Sequence, residues 1–117
     1  MKQVIYGTVP SKSNCYIIVK IKGVSSLAKS PALRKYENDF YIQCNQYRGK
    51  MIEGYFEFHM DVFYPNQRAD LDNSLKVVLD CLQRVKAFKN DNKAVGLHIR
   101  KFKTEGDPRI EFEIVAV

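Results

Sequence analysis

Apolar and polar residues alternate along Tyr16 to Lys22 (YIIVKIK): Ile17, Val19 and Ile21 fall on one side, Ile18, Lys20 and Lys22 on the other. A period of two marks an extended strand. Gly54 to Tyr64 alternates more cleanly, with Phe56, Phe58, Met60, Val62 and Tyr64 on one fully apolar face and Tyr55, Glu57, His59, Asp61 and Phe63 on the other. Residues 2–9 (KQVIYGTV) predict a first strand, stopped by Pro10 and the turn-rich SKSN. A polar loop is expected after Gly23. Ala94 to Lys103 and Arg109 to Val117 read as the two arms of a hairpin around residues 104–108, and in the second arm Ile110, Phe112 and Ile114 alternate with Glu111 and Glu113.

Elsewhere the period lengthens to three and four. Leu33, Tyr36, Phe40, Cys44 and Tyr47 form one helical stripe after Ser30-Pro31, an N-cap followed by the residue best tolerated at the first helical position. Gly49 is the expected stop. Leu71, Leu75, Val78, Leu79, Leu82 and Val85 form a second stripe that begins near Asp70 to Asn73. The order is therefore β-β-α-β-α-β-β. It predicts an α+β fold: a single small sheet of about four to five strands with two helices packed on it. Pattern alone leaves the strand directions open.

At 117 residues the chain fits one domain, and 45% hydrophobic with 27% charged residues excludes disorder as its main state. Nineteen Lys and Arg against thirteen Asp and Glu leave +6, which points to a polyanionic partner, nucleic acid first. Charge alone also fits a non-catalytic DNA-binding accessory protein. The three cysteines (Cys15, Cys44, Cys81) form no CxxC pair, so neither a zinc ribbon nor a disulfide scaffold is expected, and a reducing, cytoplasmic setting is. The first residues carry too short an apolar run for a signal peptide, and no run reaches the ~18 apolar residues of a membrane span.

The chemistry concentrates in Arg68-Ala69-Asp70-Leu71-Asp72-Asn73, Lys76 and Asn90-Asp91-Asn92. Clustered carboxylates repel unless a cation lies between them, and Mg²⁺ is a hard cation bound through a few carboxylates plus waters and phosphate oxygens. Lys76, one helical turn past Asp72, is placed to meet charge developing on a phosphate. Plainer readings account for the same residues: Asp72 as an N-cap, Lys76 paired with Asp72 or Asp80, and residues 90–92 as a turn. Likewise Glu57, His59 and Asp61 read as a solvated strand face or an acid–base cluster, and the two histidines, His59 and His98, show no metal-ligand spacing.

The run RADLDNSLK (68–76), then FKNDNKAV (88–95), resembles the signature of the RusA family of Holliday junction resolvases, and VPSKSNCY (9–16) is similar to that family's first loop. The resemblance implies a homodimeric, Mg²⁺-dependent endonuclease, with Mn²⁺ as a substitute, that nicks four-way DNA junctions symmetrically. Asp70, Asp72 and Asp91 would be its essential, metal-holding aspartates and Lys76 its active-site lysine. DNA contacts are expected from Lys12, Asn14, Arg68, Asn73, Lys89, Lys93, Arg100, Lys101 and Lys103. A metal nuclease acting on other branched or flap DNA would use the same residues. The family has Asp-Asp where this chain has Asn90-Asp91, and often a basic residue where Cys15 stands.

Length raises one further question. A helix over residues 73–86 spans about 21 Å, whereas Ala87 to Asp91 reaches at most about 17–18 Å back. Either the helix ends early, near Leu82 or Gln83, or Asp91 serves a partner subunit.

Overall fold

The computed structural model describes residues 1–66 and 70–117. Its four-stranded sheet runs β1 (Gln3–Tyr6), β6 (Arg109–Ala116), β4 (Phe56–Tyr64), β5 (Ala94–Lys103). The helices are α1 (Pro31–Gln43) and α2 (Leu71–Arg84). The five even-numbered side chains of β4 are buried, while its odd-numbered ones are half-exposed. Both helices pack on the buried side, where Phe112 of β6 meets the rings of Phe40, Tyr47 and Phe58 at centroid distances of 6.1, 5.7 and 5.8 Å. Among the described residues, the opposite face of the sheet carries no helix.

The α+β class and the expected order hold, with one strand added. Residues 24–29 are not a polar loop but β3 (Val24–Lys29), which pairs antiparallel with β2 (Tyr16–Ile21) as a separate two-stranded sheet. Lys22 and Gly23 between them both have positive φ, at 53° and 80°. Such a two-residue turn matches the natural twist of a hairpin. The hairpin leaves apolar side chains uncovered on both faces: the paired Ile18 and Leu27 are 74% and 73% exposed on one, and the paired Ile21 and Val24 are 65% and 67% exposed on the other.

A second expectation is overturned. The last two strands are not a hairpin, because β4 lies between them, antiparallel to β6 and parallel to β5. Parallel neighbours need a crossover, and α2 supplies it. The apolar face of β4, buried under helices, already favours a central position.

The first helix ends at Gln43, five residues before Arg48. Polar side chains from β1 and from the following loop take the backbone groups that further turns would use. Gln46 N–H donates to Gln3 Oε1 at 2.8 Å, and Arg48 donates to the carbonyls of Tyr41 and Ile42. Gln43 itself pairs through both amide atoms with the backbone of Tyr6, at 2.7 and 3.0 Å. Cys44 and Tyr47 are still buried, so their periodicity reported the core without reporting the helix.

The end of α2 is a Schellman turn: Lys86 N–H donates to Gln83 O at 3.1 Å and Ala87 N–H to Leu82 O at 3.0 Å. Lys86 occupies the left-handed position, with φ 62°, where glycine is the usual residue. Lys86→Gly is therefore expected to stabilise the fold by about 0.5–1 kcal/mol, since the left-handed cost to a side chain exceeds the extra chain entropy of glycine. Urea denaturation checks this, and an unchanged or lower midpoint would refute it.

Candidate active site

Asp70 is the last extended residue before α2, at φ −96° and ψ 113°, and is its N-cap. Its Oδ1 accepts Asp72 N–H at 3.0 Å, and its carbonyl accepts the N–H and the hydroxyl of Ser74, each at 3.0 Å. The cap is thus Asp70, not Asp72 as the plainer reading had it. Ser74 is fully buried and shares a 2.7 Å hydrogen bond with Tyr64 Oη at the end of β4. This link fixes the mouth of the helix to the sheet.

The first loop is tied to the same point. Asn73 Nδ2 donates to Pro10 O at 2.7 Å, and the Cys15 thiol lies 3.7 Å from that carbonyl and 3.9 Å from Asn73 Oδ1. Lys12 is thereby brought to a cleft of about 390 Å³ that Asp70, Asp72, Asn73, Lys76 and Asp80 also line. Cys15 is buried, so this position lends no cation to the surface.

Asp72, Lys76 and Asp80 follow one another at four-residue steps along a single face of α2. Asp91 reaches that face in the same chain: with Asp72, Lys76 and Asp80 it lines a depression of about 300 Å³. The return works because α2 stops at Arg84, one or two residues beyond the expected early end, and then reverses. From Asp72 to Arg84 the helix rises about 18 Å, which the seven residue steps to Asp91 can cover at up to about 23–25 Å. Asn90 then caps the short 3₁₀ turn Asp91–Lys93 by accepting Asn92 N–H at 3.0 Å. Asparagine caps as well as aspartate, so the departure at position 90 keeps the local geometry that presents Asp91.

Neither of the expected lysine pairs forms: Lys76 makes no ion pair within 4.0 Å among the described residues. Asp80 belongs to the acidic face. Partial burial of its carboxyl, opposed by Lys76 and reinforced by Asp91 and Glu37, holds it above the ordinary aspartate range. A carboxyl raised in the fold favours the folded state while protonated, and that contribution is lost as pH rises through its folded pKa. Asp80→Asn is therefore expected to raise the thermal midpoint at pH 7.5, with the gain closing below about pH 4. Melting curves across this range in metal-free buffer check it; a lower midpoint at pH 7.5 would contradict it.

The remaining expected DNA contacts divide by position. Asn14 is exposed beside the N-terminus of α1, its carbonyl accepting from the Oγ of the N-cap Ser30 at 2.5 Å. Lys89 is exposed beside Ile52, to whose carbonyl its backbone donates, and Lys93 Nζ lies 4.9 Å from the centre of the Tyr55 ring. Lys101 and Lys103 register with Val62 and Tyr64, so they share the helix-bearing side of the sheet with the acidic depression. Arg100 does not: it registers with Asp61 on the other face and grips it in a two-pronged ion pair of 2.9 and 3.0 Å. Arg68 lies outside the described residues.

The donor set around the depression is all carboxylate oxygen, which suits a hard cation. Among the described residues the oxygens of Asp70, Asp72 and Asp91 do not all lie within 4.8 Å of one another. No helix among the described residues is long and apolar enough to cross a membrane.

No individually curated protein matches the chain. The family pattern described as Endodeoxyribonuclease RusA does, over residues 9–115, which takes in the first loop, both helices and the whole acidic face. By that match the chain belongs to the RusA family of endodeoxyribonucleases, metal-dependent enzymes of the Holliday junction resolvase type.

Proposed function

We propose that this endodeoxyribonuclease is a Mg²⁺-dependent homodimer that resolves four-way DNA junctions by symmetric hydrolysis of two phosphodiester bonds. The observation that carries the reading is the meeting of Asp72, Lys76 and Asp91 around one depression, with Asp70 at the helix mouth beside it.

In this reading Asp70, Asp72 and Asp91 hold the ion, and Mn²⁺ can replace it because hard oxygen ligands suit both. When bound, the ion supplies Lewis-acid activation of the scissile phosphate and of the attacking water. Lys76, with no ion pair to satisfy it, donates to a non-bridging phosphate oxygen as charge builds there. The N-cap contact leaves the second oxygen of Asp70 for the ion while fixing the orientation of the first. Asn73 positions the loop that carries Lys12, and Lys12, Lys89, Lys93, Lys101 and Lys103 grip the phosphate backbone, so binding weakens steeply with salt. Arg100, engaged with Asp61 on the far face, is left out of this track.

Two copies related by a two-fold axis present identical sites to the two equivalent strands of a junction. The exposed apolar hairpin β2–β3 supports such an assembly, since contiguous apolar surface of this kind is usually covered by a partner. Tyr36 and Tyr47 lend no such support, because both are core residues.

Incubation with a synthetic four-way junction, a flap and a plain duplex, each with Mg²⁺ or with EDTA, tests the proposal. Paired Mg²⁺-dependent nicks in the junction are expected. Preference for the flap would move the assignment to another branched substrate; binding without any cut would refute the nuclease assignment of these residues.

A further inference from the structure

The helix-free face of the sheet holds a second cluster of potential ligands, on the far side from the acidic depression. Parallel pairing sets His59 of β4 directly beside His98 of β5, with their rings stacked at 4.3 Å and tilted by 10°. Glu57 lies two residues before His59 on the same face. One of its oxygens, Oε1, is 3.4 Å from His59 Nε2 and 3.8 Å from His98 Nε2. All three ligating atoms lie within 4.8 Å of one another.

Two further observations separate this cluster from a casual surface grouping. The other carboxylates of this face already have cations: Asp61 has Arg100, Glu111 has Arg109 and Lys2, and Glu113 has the N-terminal ammonium. Among the described residues, Glu57 has ion-pair distances to the two imidazoles alone. Its strand neighbour across the pair is Gly96, where a Cβ would lie 3.1 Å from Glu57 Cγ and 3.3 Å from Oε2. Glycine there makes the room in which the carboxylate lies beside the histidines.

We propose that Glu57, His59 and His98 form a site for a borderline divalent transition ion of the Zn²⁺ class, distinct from the Mg²⁺ site. Tetrahedral coordination with bonds of about 2.0–2.2 Å separates neighbouring ligand atoms by about 3.3–3.5 Å, close to the spacing of Glu57 from His59. The stacked rings must splay apart through changes in both χ1 and χ2 before their Nε2 lone pairs meet at one ion. Imidazole nitrogen selects Zn²⁺ over Mg²⁺, which prefers oxygen, and water completes the shell. The ion ties edge strand β5 to central strand β4. Because β5 begins immediately after the 3₁₀ turn bearing Asp91, this clasp also steadies the far wall of the acidic depression.

The test is zinc uptake by the full chain, stripped with chelator and dialysed against micromolar Zn²⁺ in millimolar Mg²⁺. One zinc per chain is expected, retained when Asp70 and Asp72 are both changed to Asn, with a thermal midpoint raised by the metal. His59→Gln and His98→Gln are each expected to weaken uptake at least about tenfold, relative to the loss that disturbing even a supporting residue brings. Gly96→Ala provides the independent check: it suits a strand better than glycine yet crowds Glu57, so zinc affinity falls while metal-free stability does not. Zinc uptake undiminished in the double histidine variant, loss of uptake in the Asp70/Asp72 variant, or displacement by Mg²⁺ would each overturn the proposal.

Discussion

Asp70→Asn is expected to lower junction cleavage by more than about 100-fold while leaving the fold and junction binding intact. The magnitude follows from position: groups that merely support a metal ligand are worth roughly 10–100-fold, and Asp70 is proposed to hold the ion itself. The variant separates two roles that the structure gives one residue. Asparagine caps a helix as well as aspartate and can keep the bond to Asp72 N–H, so stability should stay within about 0.5 kcal/mol of the parent. Asp70→Ala, by contrast, loses the cap as well and should cost about 1 kcal/mol. Binding to the junction should hold or tighten, because one negative charge facing the phosphates is removed. Cleavage rates, gel-shift affinity and urea denaturation of both variants check the set. Parent-like cutting by Asp70→Asn would remove Asp70 from the metal site, and unfolding of that variant would leave it a structural role alone.

Lys76→Ala is the second large effect. Its amine has no ion-pair partner among the described residues, and alanine at an exposed helical position costs the helix nothing. A preorganised donor that meets charge developing on phosphate oxygens is worth about 10²–10³-fold in turnover, roughly 2.7–4 kcal/mol. The ground-state contact is one phosphate among many, so the Kd for the junction should change only a few-fold and the salt dependence by less than about one counterion. Single-turnover cleavage at saturating enzyme measures the first quantity, and a salt titration of binding the second. Equal losses in rate and affinity would make Lys76 part of the grip instead.

Much of this was legible along the chain where local pattern and tertiary fate agree. The strand at Phe56–Tyr64 and the helix from Leu71 were plain because each buries one face, and burial writes its own period into the sequence. The hairpin's second strand was not: its turn is Lys-Gly instead of Asn-Gly, and VSSLAK buries almost nothing, so no alternation marks it. The end of α1 was hidden because distant side chains, Gln3 above all, compete for its backbone. The last two strands misled for a different reason. Two alternating segments with a turn between them look like neighbours, and nothing local says that a third strand will lie between.

The candidate site shows the same division. Asp70, Asp72 and Lys76 stand close in sequence on one helix mouth, so their grouping was readable. Whether Asp91 could return depended on where α2 ended, and that end is set at Lys86, a residue no glycine rule would flag. Along the chain Asp80 is only a candidate partner for Lys76, and it is the return of Asp91 that makes it part of the acidic face. His59 and His98 are far apart in sequence and become neighbours solely through the parallel register of β4 and β5.

That register leaves β5 as a ten-residue strand on the outer edge of the sheet, with one row of backbone donors and acceptors unpaired within the sheet. Open edges of this length recruit other strands, and lysine along an edge is a common guard against it. Lys101 and Lys103, assigned to the phosphate track, therefore also protect solubility. Neutralising them, especially with β-branched residues, should promote self-association as well as weaken DNA binding, and light scattering would expose the first effect before a gel shift is read as the second.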